Sequence, residues 1–458
     1  MEYRKSVTIQ APRDEVFAWH TRKGAFERLA PPWQPTTLIG TTGQPPAAGS
    51  TVELQVKVGP LWRPWNAIHE TYIPGKRFTD RQVTGPFASW LHTHQFGAID
   101  QQTTRLEDLV SYELPLGPLG ALGKGYVQTQ LERLFRYRHR VTTHDITRHQ
   151  STKLAPLQIA MTGSSGLVGS ALTAFLRTGT HRVRQLVRQP TTEPDAIGWT
   201  PDTQTWPAKA FDGAQAVIHL AGENIASSRW SSTHKQQIRN SRIDGTRRLC
   251  ETLVALPAPP ETLITASAIG FYGDRGSVLL DETSDRGEGF LPEVCHDWEQ
   301  ATEPARKAGI RVVNLRLGIV LTPAGGALQQ ILIPFKLGMG GVLGSGKQFM
   351  SWVALDDVLG GVLHALADTR LEGPVNLVAP HPVTNREFTK VLGHVLGRPT
   401  LLPTPGPAMR LLFGEMADAM LLSGSRVHPT QLETSNFEFE FETLGPALEH
   451  VLGRTRTD

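Results

Sequence analysis

Three glycines, Gly163, Gly166 and Gly169, stand three residues apart in the stretch LQIAMTGSSGLVG, residues 157–169. An apolar run, Leu157 to Met161, leads into them, and Leu167, Val168, Leu172, Phe175 and Leu176 recur at helical spacing behind them. Strand, glycine turn, helix is a geometry that cradles a pyrophosphate. The first glycine permits the tight turn, the second lets backbone approach the phosphates, and the third lets the helix pack close to the sheet. The helix N-terminus adds N–H donors and partial positive charge. The cofactor-binding set read from this turn is Gly163, Ser164, Ser165, Gly166, Leu167, Val168 and Gly169.

The next strand, Val183 to Val187, ends at Arg188 in RVRQLVRQP. An acid about 20 residues past the glycines would hold the ribose hydroxyls of NAD, whereas an Arg accommodates the 2′-phosphate of NADP. A charge-assisted contact of that kind contributes roughly 1.5–3 kcal/mol, so NADP(H) is expected and NAD(H) is the weaker ligand. The strand AVIHL, 216–220, is followed by Ala221 and Gly222, small residues that let a cofactor reach the backbone at a strand's carboxyl end. Leu263 to Ala266 delivers Ser267, whose hydroxyl suits a carbonyl or alkoxide, and Tyr272 follows as the best available acid.

Other reactive side chains read as structural. Glu299 is a possible base, but a lone Glu on a helix surface is the plainer reading. Asp356 and Asp357 are neighbours on a helix and do not face one another. Lys347 and Gln348 in GSGKQF are expected at the substrate mouth, and their spacing fails the phosphate-loop pattern. His92 and His94 share a strand face and would make half of a metal site. No further ligand is evident nearby, so they read as a polar strand face, and no metal is expected. Four arginines of a later helix, Arg133, Arg136, Arg138 and Arg140, read as a solvated face.

These residues need an α/β framework. Strands alternating with helices from Leu157 onward predict a doubly wound parallel sheet. Residues 1–150 read differently: a strand, Tyr3 to Ile9, a helix, Arg13 to Thr21, five β-rich runs between Thr51 and Leu114, and a long helix over roughly 122–142. Trp33, Trp62, Trp65 and Trp90 line a ligand pocket there or fill a core. The polar segment His149 to Pro156 is the expected linker. The predicted domains are 1–150, 155–403 and 404–458. In the last, Leu411, Leu412, Met416, Met420 and Leu421 form the apolar face of a helix, read as a cap or an association surface.

The chain has 458 residues, a net charge of +3 and two cysteines. No basic block suggests nucleic acid, no run suggests a membrane span, and two distant cysteines give no disulfide framework. The N-terminus lacks an apolar signal core, so a cytoplasmic location is expected.

TGSSGLVG, HLAGENI, SRIDGTRRL, SAIGFYG, CHDWE, LRLGIVL, GSGKQFMSWVALDDV and GPVNLVAP occur in that order. Together they resemble an atypical extended short-chain dehydrogenase/reductase group, whose members carry an NAD-dependent epimerase label and in some cases a cell-division-inhibitor name. The resemblance covers nearly all of Leu157 to Leu452. It implies cofactor roles for Gly163, Gly166, Gly169, Arg188, Ala221 and Gly222, and a substrate-polarising role for Ser267. The superfamily's Tyr-x-x-x-Lys pair is missing: Leu291 and Cys295 lie near its places, and Arg242 replaces a helix Asn. The literal Tyr72 to Lys76 match falls in a Pro-Gly turn of the first domain. Residues 1–150, through their element order and the opening VTIQAPRDEVFAWHT, resemble the START-like, polyketide cyclase-like helix-grip family. That implies an α+β domain holding a hydrophobic small molecule. The expected function is therefore NADP(H)-dependent epimerase or reductase chemistry on an unknown small or hydrophobic substrate. The alternative is a non-catalytic, cofactor-binding regulator or scaffold.

Overall fold

The computed structural model describes residues 1–59, 61–115, 120, 122–188, 194–199 and 206–454. Gln189 and Pro190 of the RVRQLVRQP stretch, and the last four residues of the expected C-terminal domain, lie outside the described residues. The chain divides into two compact units: Met1–Lys153 with Arg177–Thr180, and Leu154–Leu176 with His181–Asp458. Among the described residues no helix is long and apolar enough to cross a membrane.

The first unit runs β1 (Glu2–Ile9), α1 (Arg13–Thr21), α2 (Ala25–Leu29), β2 (Thr36–Thr42), β3 (Thr51–Val58), β4 (Leu61–Ile73), β5 (Arg77–Thr84), β6 (Ser89–Ala98), β7 (Thr104–Glu113) and α3 (Lys124–Thr152). Among the described residues its seven strands form one antiparallel sheet in the order β1-β7-β6-β5-β4-β3-β2. Alternate residues of β6 and β7 are buried, as a sheet with one covered face requires. Trp19, Tyr112 and Phe135 are fully buried, Trp90 packs edge-on to Trp65, and Trp62 is 48% exposed, outside that core.

Three expectations for this unit change. Helix α3 continues to Thr152, through the first half of the expected linker. Buried positions recur from Leu131 to Ile146, and once that packed stretch is helical each further turn into the polar sequence adds a backbone hydrogen bond per residue fixed. The four arginines of α3 are half-buried rather than solvated: Arg138 Nε donates to Leu29 O at 3.2 Å, and the Arg133 guanidinium lies over the Trp33 ring. His92 and His94 are 3% and 7% exposed, so they are interior groups and not a polar surface.

The second unit contains β8 (Gln158–Thr162), α4 (Leu167–Thr178), β9 (Arg182–Val187), β10 (Ala196–Gly198), β11 (Ala216–His219), α5 (Ser232–Val254), β12 (Thr262–Ala268), β13 (Leu279–Leu280), α6 (Phe290–Gln300), α7 (Glu303–Lys307), β14 (Arg311–Leu317), β15 (Ile319–Leu321), α8 (Gly326–Lys336), β16 (Phe349–Met350), β17 (Trp352–Ala354), α9 (Leu355–Ala367), β18 (Gly373–Leu377), a two-residue strand (Val383–Thr384), α10 (Asn385–Leu396) and α11 (Gly406–Phe413). Among the described residues seven strands form a parallel sheet in the order β10-β9-β8-β11-β12-β14-β18. Order runs outward from β8 on one side and from β11 on the other, so the switch point lies at their carboxyl ends.

Both faces of this sheet are covered, which is why its strands are apolar without alternation. Ile159 and Met161 pack with Leu172, Phe175 and Leu176 of α4 and with Val358 and Val362 of α9. Ala160 and Val217 pack on the opposite face with Leu249 and Leu253 of α5. Near the C-terminus the expected single helix is interrupted: α11 ends at Phe413, and a separate short π-turn spans Ala417–Leu421. Met416 is buried, but Leu411 and Leu412 are 78% and 62% exposed, so they do not share its face.

Candidate functional site

The turn after β8 requires glycine at two positions. Gly163 has φ +70°, and a Cβ there would sit 2.6 Å from the backbone carbon of Leu220. A Cβ on Gly169 would sit 2.2 Å from Gly163 O, so α4 packs against the turn at a distance only glycine allows. Gly166 is less constrained. It donates to Gly163 O at 3.0 Å, and with Ser165 it is exposed. Ser164 is 1% exposed and its hydroxyl has no hydrogen-bond partner among the described residues. A buried hydroxyl without a partner costs about 1–3 kcal/mol, which an arriving phosphate oxygen would offset. Glycine cradle, unpartnered Ser164 Oγ and the head of α4 together fit a dinucleotide's pyrophosphate.

Around this turn, Arg188 is exposed directly after β9. Ala221 and Gly222 are half-buried after β11. A Cβ on Gly222 would meet the Arg242 guanidinium at 3.3–3.5 Å. That guanidinium donates to Glu223 O at 2.9 Å and stacks over Trp298, so a cation stands beside the crevice where the resemblance places an Asn.

His219 ends β11 just below. Its two ring nitrogens contact Thr162 Oγ1 at 2.6 Å and Thr246 Oγ1 at 3.1 Å. Burial pushes it from 6.5 down to about 4. The unfolded chain therefore takes this proton first as pH falls. Stability is complete above pH 6.5 and is lost toward pH 4, by up to about 3 kcal/mol. Urea melts between pH 7 and 4 should show a slope to which buried His181 also contributes, and His219→Gln should reduce it. An unchanged slope would clear His219.

The Ser267 region departs from expectation. Ser267 is 2% exposed, and its hydroxyl donates to Glu299 Oε1 at 2.7 Å. Arg316 on β14 donates to both oxygens of the same carboxylate, Nε to Oε1 and Nη2 to Oε2, each at 2.8 Å. Arg316 Nη1 also donates to the Tyr272 hydroxyl at 2.9 Å, which donates to Asn376 Oδ1 at 2.7 Å. Tyr272 is fully buried, and desolvation pushes its hydroxyl up to about 12. A proton bound that tightly, on a group without exposed surface, is not available to a substrate, so Tyr272 is withdrawn as the acid. Glu299 is an interior partner of Arg316, not a surface residue.

Helix α6 packs on the turn Ile269–Tyr272. A Cβ on Gly270 would touch Leu291 Cβ at 3.5 Å and Cys295 Sγ at 3.6 Å. Burial pushes the Cys295 thiol up to about 12. Leu291, Cys295 and Glu299 thus share one face of α6, with apolar or neutral groups near the expected Tyr and Lys places. Sequence reasoning missed Glu299, Arg316 and Asn376 as a unit. The available signals were a charge inside the apolar strand VVNLRL and the four-residue recurrence of Leu291, Cys295 and Glu299.

Elsewhere, Asp357 accepts the backbone N–H groups of Glu440 and Phe441 at 2.7 and 3.0 Å, while Asp356 meets His450. Lys347 is exposed, and the Gln348 side-chain amide donates to Leu343 O and Leu421 O.

Known proteins match this geometry. The pattern of the NAD dependent epimerase/dehydratase family fits residues 159–377, and a domain of unknown function, DUF1731, fits residues 404–451. An epimerase family protein of Mycobacterium bovis is 44% identical over 301 residues, covering 66% of this chain and 99% of its own length. A crystal structure described as a nucleoside-diphosphate sugar epimerase from Corynebacterium glutamicum is 36% identical, with a TM-score of 0.82 over 98% of this chain and 90% of its own. The human epimerase family protein SDR39U1, solved with NADPH, is 32% identical, with a TM-score of 0.60 over 65% of this chain and 99% of its own. These relatives carry epimerase names, and none of the three carries the cell-division name that the resemblance suggested. With a glycine turn at the switch point of a doubly wound sheet, and relatives matched over nearly their whole length, the chain belongs to the NAD-dependent epimerase family, of the SDR39U1-like kind, with a DUF1731 segment at its C-terminal end.

Proposed function

We propose that the second unit binds NADP(H) and carries out epimerase- or reductase-type hydride chemistry on a small substrate. The observation that carries this reading is the turn itself, with Gly163 and Gly169 sterically required and Ser164 Oγ buried without a partner. The bound cofactor would supply or accept hydride. The turn and the head of α4 would hold its pyrophosphate, Ala221 and Gly222 would let it approach the backbone, and Arg188 would meet its 2′-phosphate. Calorimetric titration with NADPH and NADH tests the last point. Arg188→Ala should weaken NADPH about ten- to a hundredfold while leaving NADH unchanged. An equal loss for both would take the 2′-phosphate away from Arg188.

In the enzymatic reading Ser267 is the polar group at the carboxyl end of β12, with Glu299 as the acceptor for its proton. The name of the Corynebacterium neighbour makes nucleoside-diphosphate sugars the first substrates to screen. Turnover that falls in Ser267→Ala supports it. The second reading, a cofactor-binding regulator without catalysis, is favoured by the sealed Tyr272 and by Leu291 and Cys295 on α6. Tight NADPH binding with no turnover across that screen would select it. For the first unit, the seven-stranded antiparallel sheet followed by the long α3 supports the START-like reading as a ligand-holding module.

A further inference from the structure

The register of the first sheet builds a polar centre that no part of the cofactor reading uses. Asp80 on β5 stands directly opposite His92 on β6, and His94 on β6 stands opposite Asp108 on β7. His69 on β4 stands opposite Asp80. Directly opposed residues share a sheet face, so these five side chains emerge together. Four of the five are under 9% exposed, and the Asp80 side chain is 20% exposed.

Their atoms are ordered in two shells. His92 turns Nδ1 toward Asp80 Oδ1 at 3.3 Å, and His94 turns Nε2 toward the same oxygen at 3.9 Å. One donor atom from each of the three residues falls within 4.8 Å of the other two. Ligands about 2.0–2.1 Å from a tetrahedral ion lie roughly 3.3–3.4 Å apart, so one ion among these atoms meets all three with small side-chain movements. The opposite ring nitrogens turn to Asp108. His92 Nε2 bonds its Oδ1 at 2.8 Å, and His94 Nδ1 lies 2.8 Å from the same oxygen, although out of line for a hydrogen bond. Asp108 is fixed in turn by His139 Nε2 of α3 at 2.6 Å. A carboxylate behind metal-facing histidines is the usual arrangement around protein-bound metals, where it sets the tautomer and ring orientation.

We infer that Asp80, His92 and His94 bind a divalent first-row transition ion, with Asp108 and His139 as positioning residues. Two imidazoles and one carboxylate suit zinc or ferrous iron. His69, paired with Asp80 across β4 and β5, is a further imidazole on the same face. The site stands on residues of the first unit alone, so its failure would leave the cofactor reading untouched.

The test uses the full chain without a histidine tag. Metal analysis of protein purified without chelator should find about one ion per chain and would tell zinc from iron. After chelator treatment, Co²⁺ should give a visible absorption band that saturates at one equivalent and is displaced by Zn²⁺. Asp108→Asn should weaken Co²⁺ about 10–100-fold, and His94→Gln should abolish the band. Cobalt-edge absorption on wild-type protein should count at least two imidazoles, which decides the matter if a variant does not fold. No saturable band, fewer than two imidazoles, or unchanged affinity in a folded His94→Gln variant would each overturn the site.

Discussion

Gly163→Ala is expected to lower NADPH affinity by at least about 100-fold, equivalent to roughly 2.7 kcal/mol. Two effects add. Alanine in the left-handed region costs about 1–2 kcal/mol, and Gly163 has φ +70°. The new Cβ would also lie within 2.6–2.8 Å of backbone atoms of Leu220 and Ala221, which cannot rotate away as a side chain can. Relief requires the turn to lift from β11, which moves the phosphate-facing N–H groups. Gly166→Ala is the matched control: its Cβ meets only Gly163 O, at 3.2 Å, and its φ is not in the left-handed range. The control should keep its melting temperature, whereas Gly163→Ala should lose both stability and NADPH. Fluorescence titration with NADPH, alongside thermal melting, checks both. Unaltered binding in Gly163→Ala would sink the pyrophosphate assignment.

The second large effect is expected at Arg316. Arg316 is 3% exposed, and its guanidinium is the bidentate partner of a Glu299 that is 8% exposed. Arg316→Met leaves that carboxylate buried without its cation, and such single deletions destabilise by about 3–5 kcal/mol. It also removes the Nη1 donor from the Tyr272 hydroxyl. The second unit is the one whose melting should fall, at roughly 2–4 °C per kcal/mol. Glu299→Leu combined with Arg316→Met should recover most of the loss, because desolvating two charges opposes their attraction. A decrease below about 1 kcal/mol in the single variant would mean that water reaches the pair and the network does not hold this part of the fold.

The sequence made the framework legible because framework signals are local. The apolar run before Gly163 and the 3.6-residue recurrence after it set β8 and α4, and the small residues after β11 marked the crevice. The first sheet was legible for the same reason: α1 was read at Arg13 to Thr21, where it lies. What stayed hidden was set by pairing between distant segments. Glu299 meets Arg316 across 17 residues, Tyr272 meets Asn376 across 104, and Asp108 meets His139 across 31. The four-residue recurrence with Leu291 and Cys295 hints that Glu299 faces inward, but nothing near it in sequence names Arg316 as its partner. His92 and His94 were correctly placed on one strand face, but their acidic neighbours arrive from β5 and β7, and only the register shows them. The break after α11 was missed because periodicity records spacing and not the outward turn of Leu411 and Leu412.

The exposure of Arg188 has an evolutionary reading. Substitutions at exposed positions away from special contacts usually change stability by less than about 0.5 kcal/mol. Gly163 and Gly169 tolerate no such freedom, because their neighbours are backbone. Under the reading given above, whether a dinucleotide is held and which one is preferred are thus governed by parts of the chain with unequal tolerance to drift. Lineages could exchange one coenzyme pool for another at this surface residue while the scaffold stayed under unchanged selection. The same separation makes Arg188, and not the turn, the starting point for laboratory redesign of coenzyme preference.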